Sequence, residues 1–113
     1  MENQAKLDDV RLDIQAVDIT LDPDFHDRIL LALTKLRRYY SGDVITADVY
    51  MEKASHGGPD QKSLRIKFGV PGNDVVADDT GENWDKMLHN VTDKLKVQLD
   101  RRFDNSQNAY RQR

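Results

Sequence analysis

Two basic side chains in the last third of this 113-residue sequence, Lys94 and Arg101, recur at helical spacing. Asn90 precedes Lys94 by one helical turn, and Val97 lies between Lys94 and Arg101 at the intervening turn. Steps of three and four residues return to the same side of an α-helix, so these four side chains share one solvent-facing stripe. No acidic residue interrupts the stripe. Cations in that arrangement favour binding to phosphate groups through charge alone.

A second basic cluster, formed by Arg28, Lys35 and Arg38, falls on an earlier helical segment. It also lacks an acidic residue on its own stripe. The two clusters would meet as one positive surface if the two helices pack side by side. The simpler interpretation is that these charges keep the protein soluble and pair with acids one turn away, as most helix-surface charges do. Both interpretations remain open on the pattern alone.

The residue types needed for catalysis or metal binding occur, but not in a suitable pattern. His26, His56 and His89 fall in different elements without HxxxH or HxH spacing, and no cysteine could complete a metal shell. The acidic residues between Asp74 and Asp85 lack the spacing of a calcium-binding loop, and Asp79, Glu82 and Asp85 suit a helix N-terminus instead. No serine lies in a nucleophile elbow, and no glycine-rich phosphate-binding loop is present. We therefore expect a non-enzymatic protein with no cofactor, no metal site and no small-molecule substrate.

Alternation of apolar and polar residues predicts four strands, over 10–19, 45–52, 64–70 and 74–78. Pro71 and Gly72 occupy the central positions of a type II turn, so the third strand should fold straight back into the fourth. The glycine-rich stretch between the second and third strands is a loop by composition.

Apolar residues at three- and four-residue steps predict two amphipathic helices, over about 23–40 and 82–102. Asp22 before Pro23 marks a helix start, with the Asp22 side chain as the cap. Gly42 marks a stop, because glycine can adopt the left-handed conformation. The predicted core residues are Phe25, Ile29, Leu33, Leu36 and Tyr40 in the first helix and Trp84, Leu88, Val91, Leu95 and Leu99 in the second.

The predicted order of elements is β-α-β-β-β-α. These elements can bury their apolar sides together only if both helices cover the same face of the sheet. We therefore predict an α+β two-layer sandwich with a four-stranded sheet. The single domain should occupy 10–102, between a flexible N-terminus at 1–9 and a flexible C-terminal tail at 103–113.

The formal net charge of −3 argues against a protein that coats nucleic acid through bulk charge, although a local basic patch is compatible with it. The absence of cysteine favours a reducing cytoplasm. Neither the apolar region of a signal peptide nor a run of about 18 apolar residues occurs. We expect a soluble cytoplasmic protein that binds neither DNA nor a membrane.

Several segments taken together resemble one known family. They are KLRRYY at 35–40, TADVYMEK at 46–53, the Val-Pro-Gly turn at 70–72 and DKLKVQLDRR at 93–102. In this order and spacing they are similar to the ribosome hibernation-promoting factor family, whose relatives are called ribosome-associated inhibitor A or sigma-54 modulation protein. The resemblance covers about 10–102 and is to a diverged short form, without the C-terminal dimerisation domain of the long forms.

The resemblance implies the β-α-β-β-β-α fold, which is similar to double-stranded RNA-binding domains. It also implies a translation inhibitor that enters the small ribosomal subunit where mRNA and tRNA bind, contacts 16S ribosomal RNA and preserves idle ribosomes in stationary phase or starvation. Matched by position, the family's basic residues correspond to Lys35, Arg38, Lys94 and Arg101, and we assign RNA binding to these four together with Arg28.

Three positions depart from the family's pattern, because His26, Ala32 and Val97 stand where the family usually has a basic residue. Each missing phosphate contact removes affinity and salt dependence, so whether ribosome binding survives is an open question. The alternative function is a diverged protein-interaction module of the same fold that no longer binds ribosomes. Such a module would use the open sheet face, which bears Tyr50, Arg65 and Lys67. A hydrolase or metal-dependent enzyme is only a formal third possibility.

Overall fold

The computed structural model describes residues 9–40, 42–54, 56–58 and 60–111. They form four strands and two helices in the predicted order. The predicted flexible N-terminus lies outside the described residues, apart from Asp9. The elements are β1 (Arg11–Ala16), α1 (Pro23–Tyr39), β2 (Thr46–Lys53), β3 (Lys62–Gly69), β4 (Val75–Gly81) and α2 (Trp84–Arg111).

The four strands form one mixed sheet in the order β1-β2-β3-β4. β1 is parallel to β2 because α1 carries the chain back between them, whereas β2, β3 and β4 are antiparallel neighbours joined by hairpins. The register places Val49 between Ile14 of β1 and Ile66 of β3. Both helices pack into the core on one face of this sheet, which confirms the predicted α+β architecture.

Alternation along the strands separates a buried side from an open side. β2 and β3 contribute neighbouring buried pairs, such as Val49 and Ile66, which are both 0% exposed. Burial of one such side chain stabilises the fold by about 1.5–3 kcal/mol. The strand residues of the core are Ala47, Val49 and Met51 on β2, Leu64, Ile66 and Phe68 on β3, and Val75 and Ala77 on β4.

α1 begins at Pro23 as predicted, but the Asp22 side chain makes no capping hydrogen bond. Asp22 acts through its backbone, and its carbonyl accepts from the His26 N–H at 2.9 Å. The predicted left-handed cap at Gly42 is also wrong. The helix ends because Tyr40 is extended, with φ −85° and ψ 125°. Gly42 provides space instead, since a Cβ there would lie 2.7 Å from the Tyr40 ring.

β1 is shorter than predicted because the chain turns sharply after Ala16. Asp18 has a φ of 55°, which is incompatible with continuing the strand. Glycines with positive φ form the two hairpin connections: Gly57 and Gly58 at 100° and 106° between β2 and β3, and Gly72 at 98° between β3 and β4. The value at Gly72 suits the third position of the predicted type II turn.

α2 has a cap that the sequence analysis missed. The Asn83 side-chain oxygen accepts from the Lys86 N–H at 3.1 Å, and the Asn83 carbonyl accepts from the Met87 N–H at 3.1 Å. The helix then continues to Arg111, beyond the predicted end at residue 102, because no proline or glycine interrupts that stretch. Most of the segment predicted to be a tail therefore has a helical backbone.

The buried side of α2 differs from the prediction in its first turn. Trp84 is only partly buried, and it packs on Phe25 of α1 with the ring centroids 5.8 Å apart. Met87 takes the core position instead. Trp84 is the first residue of the helix, so its ring lies at the margin of the contact between the two helices. The other predicted core residues of α2 are confirmed: Leu88, Val91, Leu95 and Leu99.

Leu95→Asp should unfold the protein, because Leu95 is 0% exposed and an unpaired carboxylate there costs a large part of a total stability of about 5–15 kcal/mol. Val97→Asp is the matched control, since Val97 is an apolar residue of the same helix that is 48% exposed. We expect the control to melt within about 4 °C of the parent. Thermal unfolding followed by circular dichroism compares the variants, and equal destabilisation would contradict the assignment of helix sides.

Candidate nucleic-acid interface

The stripe of Asn90, Lys94, Val97 and Arg101 faces the edge of the sheet. Lys94, Val97 and Arg101 are all exposed, and they line a shallow depression between α2 and the edge strand β4, which we call the α2–β4 groove. Its other lining residues are Gln98 of the helix and Val76, Ala77 and Asp78 of the strand. The structure therefore brings two of the predicted RNA-binding residues, Lys94 and Arg101, to one side of α2.

Polar side chains of α2 cover the outer edge of β4. Gln98 Nε2 donates to the Val76 carbonyl at 2.7 Å, and Gln98 Oε1 accepts from the Val76 N–H at 3.3 Å. Lys94 Nζ donates to the Asp78 carbonyl at 2.8 Å. The Gln98 amide thus takes the place of a neighbouring strand, which protects an edge that would otherwise be open to pairing. Sequence analysis missed this role, because it requires knowing which strand lies beside the helix.

Arg28, the first residue of the α1 cluster, is engaged by the other helix. Its Nε donates to Asp85 Oδ1 of α2 at 2.6 Å, and its guanidinium lies over the Phe25 ring at 5.6 Å from the centroid. No acid neutralises the cluster from within α1, but Asp85 does so from α2. Arg28 therefore links the two helices in addition to any role at the surface.

Lys35 and Arg38 are exposed, and neither forms an ion pair with any residue in the part of the chain that the structure describes. Lys35 lines the groove between α1 and α2, whereas Arg38 lies outside it. The neighbouring Arg37 does bind an acid, because its Nη2 donates to Asp9 at 3.2 Å. Lys35 and Arg38 are thus available to an external anion.

The groove between the two helices contains acids that are already engaged. His89 lies 3.2 Å from Asp93, an ion pair when the imidazole is protonated. The Tyr39 hydroxyl donates to Asp100 at 2.5 Å, and Lys96 Nζ lies 4.5 Å from the centroid of the Tyr39 ring. Mixed charge and an aromatic contact therefore fill the space in which the two basic clusters were expected to meet.

The two basic clusters do not merge across this interhelical groove. α2 lines it with Asp85, His89 and Lys96, while Lys94 and Arg101 point away towards β4. The width of α2 therefore separates the Lys94 stripe from Lys35 of α1. Sequence periodicity places each cation on a side of its own helix, but only the packing of the helices determines which sides face each other.

Charge differs between the helices and the loops. α1 and the part of α2 up to Arg101 carry eight Lys and Arg side chains against five Asp, so the helix layer has a positive surplus. In the described loops the only charged residues, histidine aside, are acidic: Asp9, Asp18, Asp22, Asp43, Asp60, Asp74 and Glu82. A chain with a net charge of −3 therefore presents a locally positive layer.

Residues 9–40, 42–54, 56–58 and 60–111 contain no group of three or more His, Cys, Asp or Glu side chains that could hold a metal ion. His26 lies 3.6 Å from its neighbour Asp27, whereas His89 lies beside Asp93. The two histidines therefore contact different acids. Among the helices of these described ranges, none is long and apolar enough to cross a membrane.

Known proteins match both the sequence and the fold. The model of the family described as Sigma 54 modulation protein / S30EA ribosomal protein matches residues 12–107. The N-terminal domain of Thermus thermophilus Protein Y has a TM-score of 0.64 at 20% identity, covering 80% of this chain and 93% of that chain. A ribosomal subunit interface protein from Coxiella burnetii has a TM-score of 0.64 at 16% identity, covering 84% and 97%. No curated protein matches the sequence.

Gln98→Met should destabilise the protein by about 1–3 kcal/mol, because methionine keeps the length of the side chain but leaves both backbone groups of Val76 unpaired. Lys86→Met is the control on the same helix, since Lys86 is exposed and its side chain makes no hydrogen bond or ion pair among the described residues. Urea denaturation measures both variants. Equal midpoints would show that the amide does not stabilise the β4 edge.

Proposed function

Because this chain belongs to the sigma 54 modulation protein / S30EA ribosomal protein family, we propose that it binds the ribosome and inhibits translation. In this proposal its target is the small subunit, where contacts to 16S ribosomal RNA hold the domain in the channel for mRNA and tRNA. Occupation of that channel stops translation and preserves idle ribosomes under stress and in stationary phase. The family match over 12–107 is the observation that carries the proposal.

The positive surplus of the helix layer supports this layer as the RNA-binding surface. A phosphate backbone attracts cations whatever its base sequence, and A-form RNA is recognised mainly through its shape and backbone. Lys35, Arg38 and Arg101 are exposed cations without an ion-pair partner among the described residues, which suits them to direct phosphate contacts. They reach solvent from both helices, so one RNA surface could contact both.

Lys94 and Arg28 have a double role in the proposal. The Lys94 ammonium has three donors and uses one of them on the Asp78 carbonyl, so the others remain for a phosphate. Arg28 uses Nε on Asp85, and the rest of its guanidinium remains for RNA. Their internal bonds already hold both side chains in place. The loss of side-chain entropy on RNA binding is therefore smaller.

The open sheet face is less suited to phosphate, because its cations are matched by acids. Arg65 lies opposite Asp78 in the β3–β4 register, and Lys67 Nζ lies 3.9 Å from Asp74. This contrast favours the helix layer over the sheet as the RNA surface. The pair Arg65 and Lys67 also provides a control, because reversing both changes the net charge as much as reversing two helix cations.

Inhibition by occupation needs no bond to be made or broken. The proposal therefore includes no catalytic residue, no cofactor and no small-molecule substrate, and it places the protein in the cytoplasm with its ribosomal partner. Inhibition of this kind requires only that the domain binds tightly and has a shape that fills the channel. In this proposal the helix layer provides the binding surface, and the sheet supports it.

Reversing two cations on either helix should weaken binding to the small subunit. We expect Lys35→Glu/Arg38→Glu and Lys94→Glu/Arg101→Glu each to lower affinity, and each lost phosphate contact to flatten the plot of log affinity against log salt by about 0.7–0.9. Arg65→Glu/Lys67→Glu makes the same change in net charge on the opposite face and should have the smaller effect. Co-sedimentation with purified small and large subunits over a salt series measures all three.

Three outcomes would contradict the proposal. Absence of the parent protein from small subunits even at low salt would remove ribosome binding itself. Loss of binding only in Arg65→Glu/Lys67→Glu would assign the interface to the sheet face. Unchanged binding to subunits preloaded with mRNA and tRNA would contradict occlusion of the channel. The melting temperature of each variant must be measured as well, because Lys94 also stabilises the β4 edge.

Val97→Arg should tighten binding to the small subunit and make it more dependent on salt. Val97 is exposed between Lys94 and Arg101, so an arginine there adds a third cation to the stripe and steepens the salt plot by about 0.7–0.9. Val97→Gln is the control for loss of the apolar side chain. Weaker binding by both variants would instead identify Val97 as an apolar contact with a partner.

A further inference from the structure

The two edges of the sheet differ in how they are covered. At β4, Gln98 and Lys94 of α2 bind outward backbone groups of Val76 and Asp78. At the opposite edge, β2 is the only strand beside β1 within the described residues. An uncovered edge is a template for pairing with another strand, and proteins that do not use such an edge usually block it. β1 is therefore the edge at which an external strand can add.

The bonds between β1 and the β2 segment show which groups point outward. The N–H groups of Arg11 and Val17 donate towards β2 at 3.0 and 2.9 Å. Successive residues of a strand alternate in direction, so Leu12, Ile14 and Ala16 direct their N–H and C=O groups away from the sheet. No residue within the described ranges binds those groups. The side chains of the same three residues are only partly buried at the margin of the core.

We propose that β1 pairs antiparallel with β1 of a second copy of this chain, forming a dimer through a continuous sheet. The two-fold axis passes through the Ile14 pair, so Ile14 faces Ile14 of the second copy and Leu12 faces its Ala16. Outward groups then meet outward groups in about six main-chain hydrogen bonds. This register uses the whole of β1, which ends before Asp18 turns at a φ of 55°.

The apolar side chains of β1 suit this register. On the helix side of the sheet, the large Leu12 faces the small Ala16 of the second copy, and the two Ile14 side chains meet at the axis. Each of these side chains is partly exposed in the single chain and packs against its core. Pairing would cover that apolar surface with apolar surface, which is favourable in water.

The polar side of β1 suits the same register. Asp13 faces Gln15 of the second copy. Gln15 Nε2 already donates one N–H to Asp13 of its own chain at 2.9 Å, so its second N–H donates to the facing carboxylate. Arg11 faces Val17, which is 50% exposed in the single chain. A register centred on Asp13 would bring the two Asp13 carboxylates together. Each Asp13 also lies opposite Asp48 of β2, which adds a further like charge. Like charges directly opposite each other are destabilising, so that register is disfavoured.

Strand pairing would leave the helix layers accessible. A sheet that continues through an antiparallel pair keeps its faces, so the helices of both copies cover the same face. The contact involves only the edge of β1, and none of the cations assigned to RNA binding lies on that strand. Dimer formation and RNA binding are therefore separate properties, and either can fail without the other.

Gln15 substitutions test the dimer. Gln15→Lys places an ammonium opposite Asp13 of the second copy twice per dimer, and Gln15→Glu places a carboxylate there. Analytical ultracentrifugation should show a dimer Kd about two- to thirtyfold tighter for Gln15→Lys and weaker for Gln15→Glu. The double variant Asp13→Lys/Gln15→Glu places a lysine at 13 opposite a glutamate at 15 of the second copy. It should therefore restore the dimerisation that Gln15→Glu alone weakens. Melting curves of the single variants verify that the monomer fold is unchanged.

Cysteine cross-linking tests the register independently, because the chain contains no cysteine. Facing residues of a hydrogen-bonded antiparallel pair have Cα atoms about 5.5 Å apart, within the range of a disulfide. Ile14→Cys should therefore cross-link to a dimer on oxidation, and Gln15→Cys should not. The proposal would be overturned if both the parent protein and Gln15→Lys remain monomeric up to about 1 mM. The β1 edge would then be expected to pair with a strand of another protein. Opposite shifts, tighter for Gln15→Glu and weaker for Gln15→Lys, would overturn the register.

Discussion

The packing of α2 across β3 and β4 is the constraint on which the other features of this structure depend. Without this helix, the buried side of β3, with Leu64, Ile66 and Phe68, would face water. Val91 and Leu95 fill that space with 0% exposure. Once this row of side chains is buried, the rotation of α2 about its axis is fixed. At about 100° per residue, the direction of every other side chain on the helix then follows.

That rotation gives α2 three sides with different roles. One side is the core, a second faces the β4 edge, and a third faces α1. Lys94 and Lys96 are two residues apart, yet Lys94 binds a strand carbonyl while Lys96 lies over the Tyr39 ring. Cations that look equivalent in the sequence therefore have different environments. The same rotation lets Gln98 satisfy the backbone of Val76, so the helix that completes the core also protects one edge of the sheet.

The distribution of charge reconciles an acidic chain with membership of a family described as a ribosomal protein. Several acids of the helix layer are engaged locally, such as Asp85 with Arg28 and Asp100 with Tyr39. Outside the helix layer, the acids of the described residues are divided between the loops, with seven, and the strands, with five. Because salt screens exposed charges beyond a distance of about 8 Å, the charge of the surface in contact matters more than the net charge. A local surplus of cations can therefore act on a polyanion although the whole chain carries −3.

The sequence by itself determined the order and type of the elements and the exposure of Lys35, Arg38, Lys94 and Arg101. It also determined the core residues of both helices, except Tyr40 and Trp84, which are only partly buried. These features depend on local periodicity and on proline and glycine, whose effects extend over only a few residues. Tertiary structure alone decided the contacts between distant residues. Arg28 meets Asp85 across 57 positions, and Gln98 meets Val76 across 22. Tertiary structure also decided that Met87, and not Trp84, is buried in the core. It decided as well that the two basic clusters do not meet. The physical reason is that periodicity gives directions relative to one helix axis, whereas partners depend on how two elements are placed against each other.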